Sequence, residues 1–230
     1  MKELQKKLEQ REKSELIAII QQMLRQEPDV QWLLTTPLPT PGAQDVSVDP
    51  AVYRQQVLAA MAAGDQPRQR KRHEVERRLT AIKAIADGFV KQQHYAVGLT
   101  IYEVLITEII AHYHDYRDEE YSALGVILQS SIDGLDSCFA GEEDNQQIRL
   151  RVLQVLFAIY CFYTDSDMDL DEDIPALLIG NTTAEERAII TTWVRDALAL
   201  IKPTRETRWS SGTSRQSYET LIARLAKGER

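Results

Sequence analysis

Six carboxylates fall within residues 165–173: Asp165, Asp167, Asp169, Asp171, Glu172 and Asp173, with no basic residue among them. Acidic side chains at alternating positions are the ligand pattern of a calcium loop, in which hard oxygen donors surround a hard cation. That loop also needs glycine at its sixth position and a bidentate glutamate at its twelfth. Counted from Asp165, those positions hold Leu170 and Ala176. The plainer reading is a solvated acidic loop. A third reading makes the run an electrostatic docking edge for a basic partner.

Opposite charge gathers elsewhere. Arg68, Arg70, Lys71, Arg72, Arg77 and Arg78 stand against only Glu74 and Glu76, and the stretch 202–230 has seven basic residues against three acidic ones. Brought together, the two could neutralise phosphates, the first step of nucleic-acid binding. The chain as a whole carries a net charge of −8, which repels a phosphate backbone. Few aromatics are interleaved for stacking on bases, only Trp209 and Tyr218 in the tail. The bland alternative is the polar face of a surface helix and a mobile chain end.

Glu108 and His112 share a helix face, with His114, Asp115 and Asp118 close by in sequence. His114 points away from that face, so polar residues at a helix end explain the group better than a metal site. There is no phosphate-binding glycine loop, no Gly-x-Ser-x-Gly and no His-Glu-x-x-His. Ser130-Ser131 lies inside a helical pattern without an evident base. Cys138 and Cys161 sit in apolar helical patterns and read as buried thiols. We expect no catalysis, no cofactor and no metal. The opening Met-Lys-Glu-Leu-Gln-Lys-Lys has no apolar stretch behind it. The longest dense apolar run, near 152–163, is shorter than the ~20 residues that span a bilayer. A cytoplasmic location with no membrane contact is expected.

The elements that must hold these residues read as helices. Gly (10) and Pro (8) are sparse among 230 residues, leaving room for long uninterrupted helices. In 1–34, an N-terminal helical arm, Leu16, Ile19, Ile20, Met23 and Leu24 recur at helical spacing. Pro37, Pro39 and Pro41 make 35–48 an extended linker. The body, 49–230, opens on Asp49-Pro50, a cap followed by proline at the first helical position. Helices are then predicted over about 71–92, 95–114, 118–139, 145–163, 183–200 and 213–227. The 145–163 helix is apolar nearly all round and belongs at the centre of the core. Overlapping capping boxes, Thr182 to Glu185 and Thr183 to Glu186, open the next, whose stripe is Ile189, Trp193, Ala197 and Leu200. Trp32 and Trp209 lie in flanking segments, where each either anchors a protein interface or staples its segment to the body. No segment alternates as a strand does.

Residues 84–105 read AIADGFVKQQHYAVGLTIYEVL. They resemble one tetratricopeptide helical hairpin, with Ala86 and Gly98 at the small crossing positions and Phe89, Tyr95 and Tyr102 at the aromatic ones. The match runs to 110 as a degenerate copy. Leu105 stands where a small residue is usual and Ile110 where proline is usual, and no second copy follows near Ala123. A broader resemblance rests on ELIAIIQQMLRQEPDVQWLL at 15–34, VDPAVYRQQV at 48–57, the same hairpin, the apolar helix at 148–163 and TAEERAIITTWV at 183–194. The chain is similar there to the helical region that accompanies SWIM-type zinc fingers in bacterial proteins. The Cys-x-Cys and Cys-x-His pairs of that finger are absent, so neither its metal nor a DNA role tied to it carries over. The resemblance implies a helical interaction module.

The expected architecture is therefore all-α: a stack of antiparallel helical hairpins, like a tetratricopeptide superhelix, with seven or eight helices and an N-terminal arm. The expected function is a non-catalytic protein–protein interaction or adaptor module whose partner is another protein. Its contact surface would include the polar side of the 71–114 hairpin and the acidic 165–173 run. The alternative is a nucleic-acid-associated accessory acting through 68–78 and 202–230.

Overall fold

A computed structural model describes residues 2–26, 34, 36, 38, 46–62, 68–113, 121–166, 174–180, 182–201 and 210–228, with backbone alone at 2, 5, 68–73, 121–123 and 210–213. Among these residues there are ten helices and no strand. They are α1 (Lys2–Glu9), α2 (Lys13–Gln26), α3 (Pro50–Ala62), α4 (Arg68–Lys91), α5 (Tyr95–His112), α6 (Tyr121–Gly141), α7 (Gln146–Ser166), α8 (Ile174–Gly180), α9 (Ala184–Leu200) and α10 (Ser210–Lys227). The chain divides into two compact units, Met1–Leu38 and Pro39–Arg230.

In the first unit, α2 is helical as its spacing predicts, yet none of its residues is buried, and Ile17, Ile20 and Met23 are exposed. Amphipathic spacing fixes which face is apolar; it does not supply something to cover that face.

The second unit is built by local rules that the sequence carries. Asp49 Oδ1 accepts from the Ala51 N–H at 2.9 Å, capping α3. Asn145 caps α7 by accepting from Ile148 N–H at 3.3 Å. Of the two overlapping capping boxes, Thr183–Glu186 forms: Glu186 N–H donates to Thr183 Oγ1 at 3.2 Å, and Thr183 N–H donates to Glu186 Oε2 at 2.8 Å. Thr182 instead turns its hydroxyl back onto the Ile179 carbonyl at 2.8 Å, satisfying the end of α8.

The α4–α5 turn closes with paired bonds, His94 N–H to Phe89 O and Gln93 N–H to Val90 O, both 2.9 Å. This is a Schellman ending, and it forces Gln93 into the left-handed region at φ 64°. The two helices then cross closely at Gly98. A Cβ there would lie 2.6 Å from Val90 Cγ2 and 3.2 Å from the Ala86 carbonyl. Ala86, Phe89 and Tyr102 are fully buried and Tyr95 is half-buried. The two tyrosines, seven residues apart, press their rings against Gly141 and Gly134 of α6, which are also seven apart, so that a side chain at either glycine would overlap the ring. The aromatics thus fill the hairpin's outer groove by using a third helix as its wall.

α5 and α7 form the centre. α5 packs on α3, α4, α6 and α7; α7 packs on α5, α6, α8, α9 and α10. Buried residues on α5 run from Val97 to Ile109, and on α7 from Ile148 to Tyr163. Edge-to-face rings tie α7 to its neighbours: Phe162 to Tyr113, the residue that caps α5, at 4.9 Å, and Tyr160 to Tyr218 of α10 at 5.6 Å. Of the described helices, α5 rather than the 152–163 stretch is long and apolar enough to cross a membrane, although half of it is buried inside this fold.

Two expectations need correction. The α9 stripe is rotated by one position: Glu186, Ile190 and Val194 are the buried set, Trp193 is half-buried against Phe157 at 6.0 Å, and Leu200 is 81% exposed. The reason is Glu186, which turns inward to meet Arg149 and carries the helix face with it. The short helix α8 was not anticipated, because Ile174–Gly180 is too brief for periodicity to register.

Candidate functional site

The acidic run begins at Asp165, in the last turn of α7, and ends just before Ile174, where α8 starts. Asp167, Asp169, Asp171, Glu172 and Asp173 lie outside the described residues, as does Trp32. Thr164, just before the run, and Pro175, just after Ile174, line one cleft. Its volume is about 360 Å³, and it lies between α7, α8 and α10. Tyr160 and Thr164 come from α7, Pro175 from α8, and Gln216, Ser217, Thr220, Leu221 and Arg224 from α10. That volume falls in the range of small-ligand sites.

α10 is set against α7 by mixed contacts. Ser214 Oγ donates to the Thr164 carbonyl at 3.0 Å, and Tyr218 OH donates to Asp165 Oδ1 at 3.3 Å. Tyr218, Leu221 and Leu225 are buried beneath them. The spacing of these residues at 218, 221 and 225 is the ordinary helical stripe. Gln216 and Thr220 are exposed and line the cleft together with Ser217 and Arg224, along the flank of that stripe.

Burial sets the protonation states around the cleft. It pushes the Tyr160 phenol up to about 12, outweighing the favourable charge of nearby Arg224. It pushes the Cys161 thiol up to about 11. Tyr218 rises further still, from burial first and then its contacts with Cys161 and Asp165. Burial also raises the Asp165 carboxyl above the usual aspartate value, against the Tyr218 hydrogen bond that lowers it. The thiol and the phenols are therefore protonated at neutral pH, and a protonated thiol is a poor nucleophile. What the cleft offers is a set of neutral hydroxyls and one side-chain amide, an apolar floor and one guanidinium.

The other residues singled out in the sequence are engaged within the fold. Of the basic run, side chains are described only for Arg77 and Arg78, and both are tied to Glu74, at 2.9 and 2.5 Å. These hydrogen bonds hold the Glu74 carboxyl below its usual value against the effect of burial. On the hairpin's polar side, Lys83 pairs with Asp87 at 3.0 Å and Tyr102 OH donates to the same carboxylate. Arg151 of α7 reaches Glu103 and Thr100 of α5. Glu108 is buried and paired with Arg54 of α3 at 2.7 Å, while His112 donates from Nδ1 to the Glu108 carbonyl at 3.0 Å. His114, Asp115, Asp118 and Trp209 lie outside the described residues. Among the described residues, no three His, Cys, Asp or Glu side chains gather in a metal-binding group. Ser130 and Ser131 both donate their hydroxyls to the Ile127 carbonyl. Cys138 is buried and pushed up to about 12 by that burial, whereas Cys161 is only half-buried.

Sequence reasoning passed over the cleft itself. Its walls come from residues about sixty positions apart, none in a motif; the one local pointer was the acidic run that separates Thr164 from Pro175 in the sequence. No family model, curated protein or solved structure matches the chain.

Proposed function

We propose that the chain is a non-catalytic protein–protein interaction module, an adaptor that receives a segment of a partner protein in the α7–α8–α10 cleft. The observation that carries this reading is the cleft's lining. Neutral hydrogen-bonding groups surround an apolar floor made by Tyr160, Pro175 and Leu221, on a wall backed by the core helix α7. Such a mixture suits a peptide backbone, which needs donors and acceptors along its length and apolar contact for its side chains. A groove between stacked helical hairpins, in the manner of a tetratricopeptide module, is the architecture we assign to it. The acidic run that follows Thr164 in the sequence steers the partner's approach.

The test is site-directed photocross-linking in the native cell. A photoreactive residue in place of exposed Gln216 should give a discrete adduct. The same residue at exposed Thr192 on α9 should not. Equal labelling at the two positions, or none at either, would refute the reading. The competing nucleic-acid role is examined by titrating salt against binding to random duplex and single strands. Binding that falls steeply with salt would favour it.

A further inference from the structure

The α10 wall of the cleft is a ladder of polar side chains. Gln216, Thr220 and Arg224 all line it, each four residues from the next. At 1.5 Å per residue the rungs stand about 6 Å apart along the helix axis. An extended chain repeats every two residues, about 6.6 Å, and turns the same edge outward at each repeat. The two periods nearly match, so an extended segment laid along α10 meets successive rungs with one edge. The ladder carries a single charge. Arg224 is the one charged residue among the described lining, and it stands at the end away from the Ser214–Thr164 bond. Asp165 does not line the cleft; its carboxylate accepts from buried Tyr218.

We propose that this cleft takes an extended, acid-bearing segment of a partner protein. One Asp or Glu side chain of the segment meets the Arg224 guanidinium, and the backbone beside it runs along Thr220 and Gln216. A guanidinium carries five N–H donors, so Arg224 can keep its present neighbours and still grip a carboxylate with two of them. A hydroxyl and a side-chain amide each offer both a donor and an acceptor, which suits the N–H and C=O groups of a backbone alike. A lysine at the same place in the ligand would bury its charge beside a guanidinium with no described lining carboxylate to pair it. The acidic run acts differently: steering senses the partner's net charge at long range, whereas Arg224 meets one seated side chain. This inference rests on the cleft being a peptide site, and the experiment separates the two.

The probes are acetylated and amidated hexapeptides in an alanine and serine background, alike except for one inner residue that is Glu, Gln or Lys. A fourth probe is the blocked single residue N-acetylglutamate N-methylamide, which has the carboxylate without the extended chain. Binding to the full-length protein is followed by amide chemical shifts up to about 10 mM, a range that reaches weak complexes. The Glu peptide should move the amides of 216–224 and bind at least about tenfold more tightly than the Gln peptide, as expected for a charge-assisted contact. The Lys peptide should bind more weakly than the Gln peptide. R224Q should abolish the preference for Glu and leave the Gln peptide's affinity unchanged, while R224K retains part of the preference; unchanged melting temperatures show that both variants stay folded. If the Gln peptide binds as well as the Glu peptide, the cleft is a peptide site but the acid anchor is refuted. If the blocked single residue binds as tightly as the Glu peptide, the cleft holds an anion and the extended segment is refuted. If no peptide binds, the inference fails. A cross-link at Gln216 that persists unchanged in R224Q would likewise overturn it while leaving the adaptor reading intact.

Discussion

Replacing Glu186 with alanine removes one carboxylate that serves two elements at once. Its Oε1 accepts from Arg149 Nε at 2.7 Å and its Oε2 from Arg149 Nη2 at 2.9 Å. Oε2 also accepts the Thr183 N–H in the capping box of α9. The two side chains are 9% and 3% exposed, and the Arg149 guanidinium lies 3.8 Å from the centre of the Phe139 ring of α6. The pair therefore joins the start of α7, the start of α9 and the end of α6. In the alanine variant the guanidinium keeps its place against Phe139 but loses its counter-charge. Removing one partner of a buried pair costs about 3–5 kcal/mol, because the other charge is left desolvated and unmatched. That is a large share of the roughly 5–15 kcal/mol that holds a typical domain together. With a urea slope of about 2–3 kcal/mol per molar, the unfolding midpoint should fall by about 1 M or more, read by far-ultraviolet circular dichroism. The double variant R149M/E186L, which removes both charges and refills the space, should recover most of the loss. A shift below about 0.3 M in the single variant, or a double variant as unstable as the sum of both singles, would refute the assignment. Acid should show the same pair. Burial pushes the Glu186 carboxyl up, but the Arg149 and Thr183 hydrogen bonds outweigh it and hold it below 4.5. A carboxyl lowered in the folded state stabilises fully above its unfolded value, and that contribution is lost as pH falls through the folded one. Part of the wild-type stability loss below pH 4.5 should therefore be missing in E186A.

Three further outcomes follow from other parts of the fold. Gln93→Gly should raise stability by about 1 kcal/mol, because glycine occupies the left-handed ending of α4 without the side-chain clash; an unchanged urea midpoint would contradict the Schellman assignment. Gly98→Ala should destabilise by about 1–3 kcal/mol, since the added methyl meets Val90 and the Ala86 carbonyl where α4 and α5 cross; a neutral effect in thermal unfolding would contradict the close crossing. Cys161 alkylation by iodoacetamide in the folded protein should rise about tenfold per pH unit from 7 to 10, in step with its thiolate, because burial holds the thiol near 11. A rate that levels off near pH 8.5 would contradict that environment.

The helical architecture was legible because it rests on short-range rules. The Asp49-Pro50 start and the Thr183–Glu186 box each need only neighbouring residues, and each takes the expected form. The small crossing position at Gly98 was also readable, since its neighbours lie within one hairpin. Arg149 was not readable as an interior residue. A charged side chain inside an apolar stripe breaks the pattern that periodicity detects, and only the three-dimensional return of α9 brings Glu186 to it. The same limit applies to the rotated α9 face and to the exposed Leu200. The cleft was hidden for a related reason: Thr164, Pro175 and Gln216 are unremarkable in sequence and become a site only when α10 folds back on α7. The acidic run stands out by composition, but composition could not tell that Thr164 before it and Pro175 after it line one cleft.

The most direct test of the central claim is hydrogen exchange on the full-length protein, alone and in complex with the protein captured through Gln216. The account predicts slowed exchange confined to 160–164, 174–178 and 214–224, with the exposed face of α9 unchanged. Protection centred on the α4–α5 hairpin, or absent from α10, would contradict it.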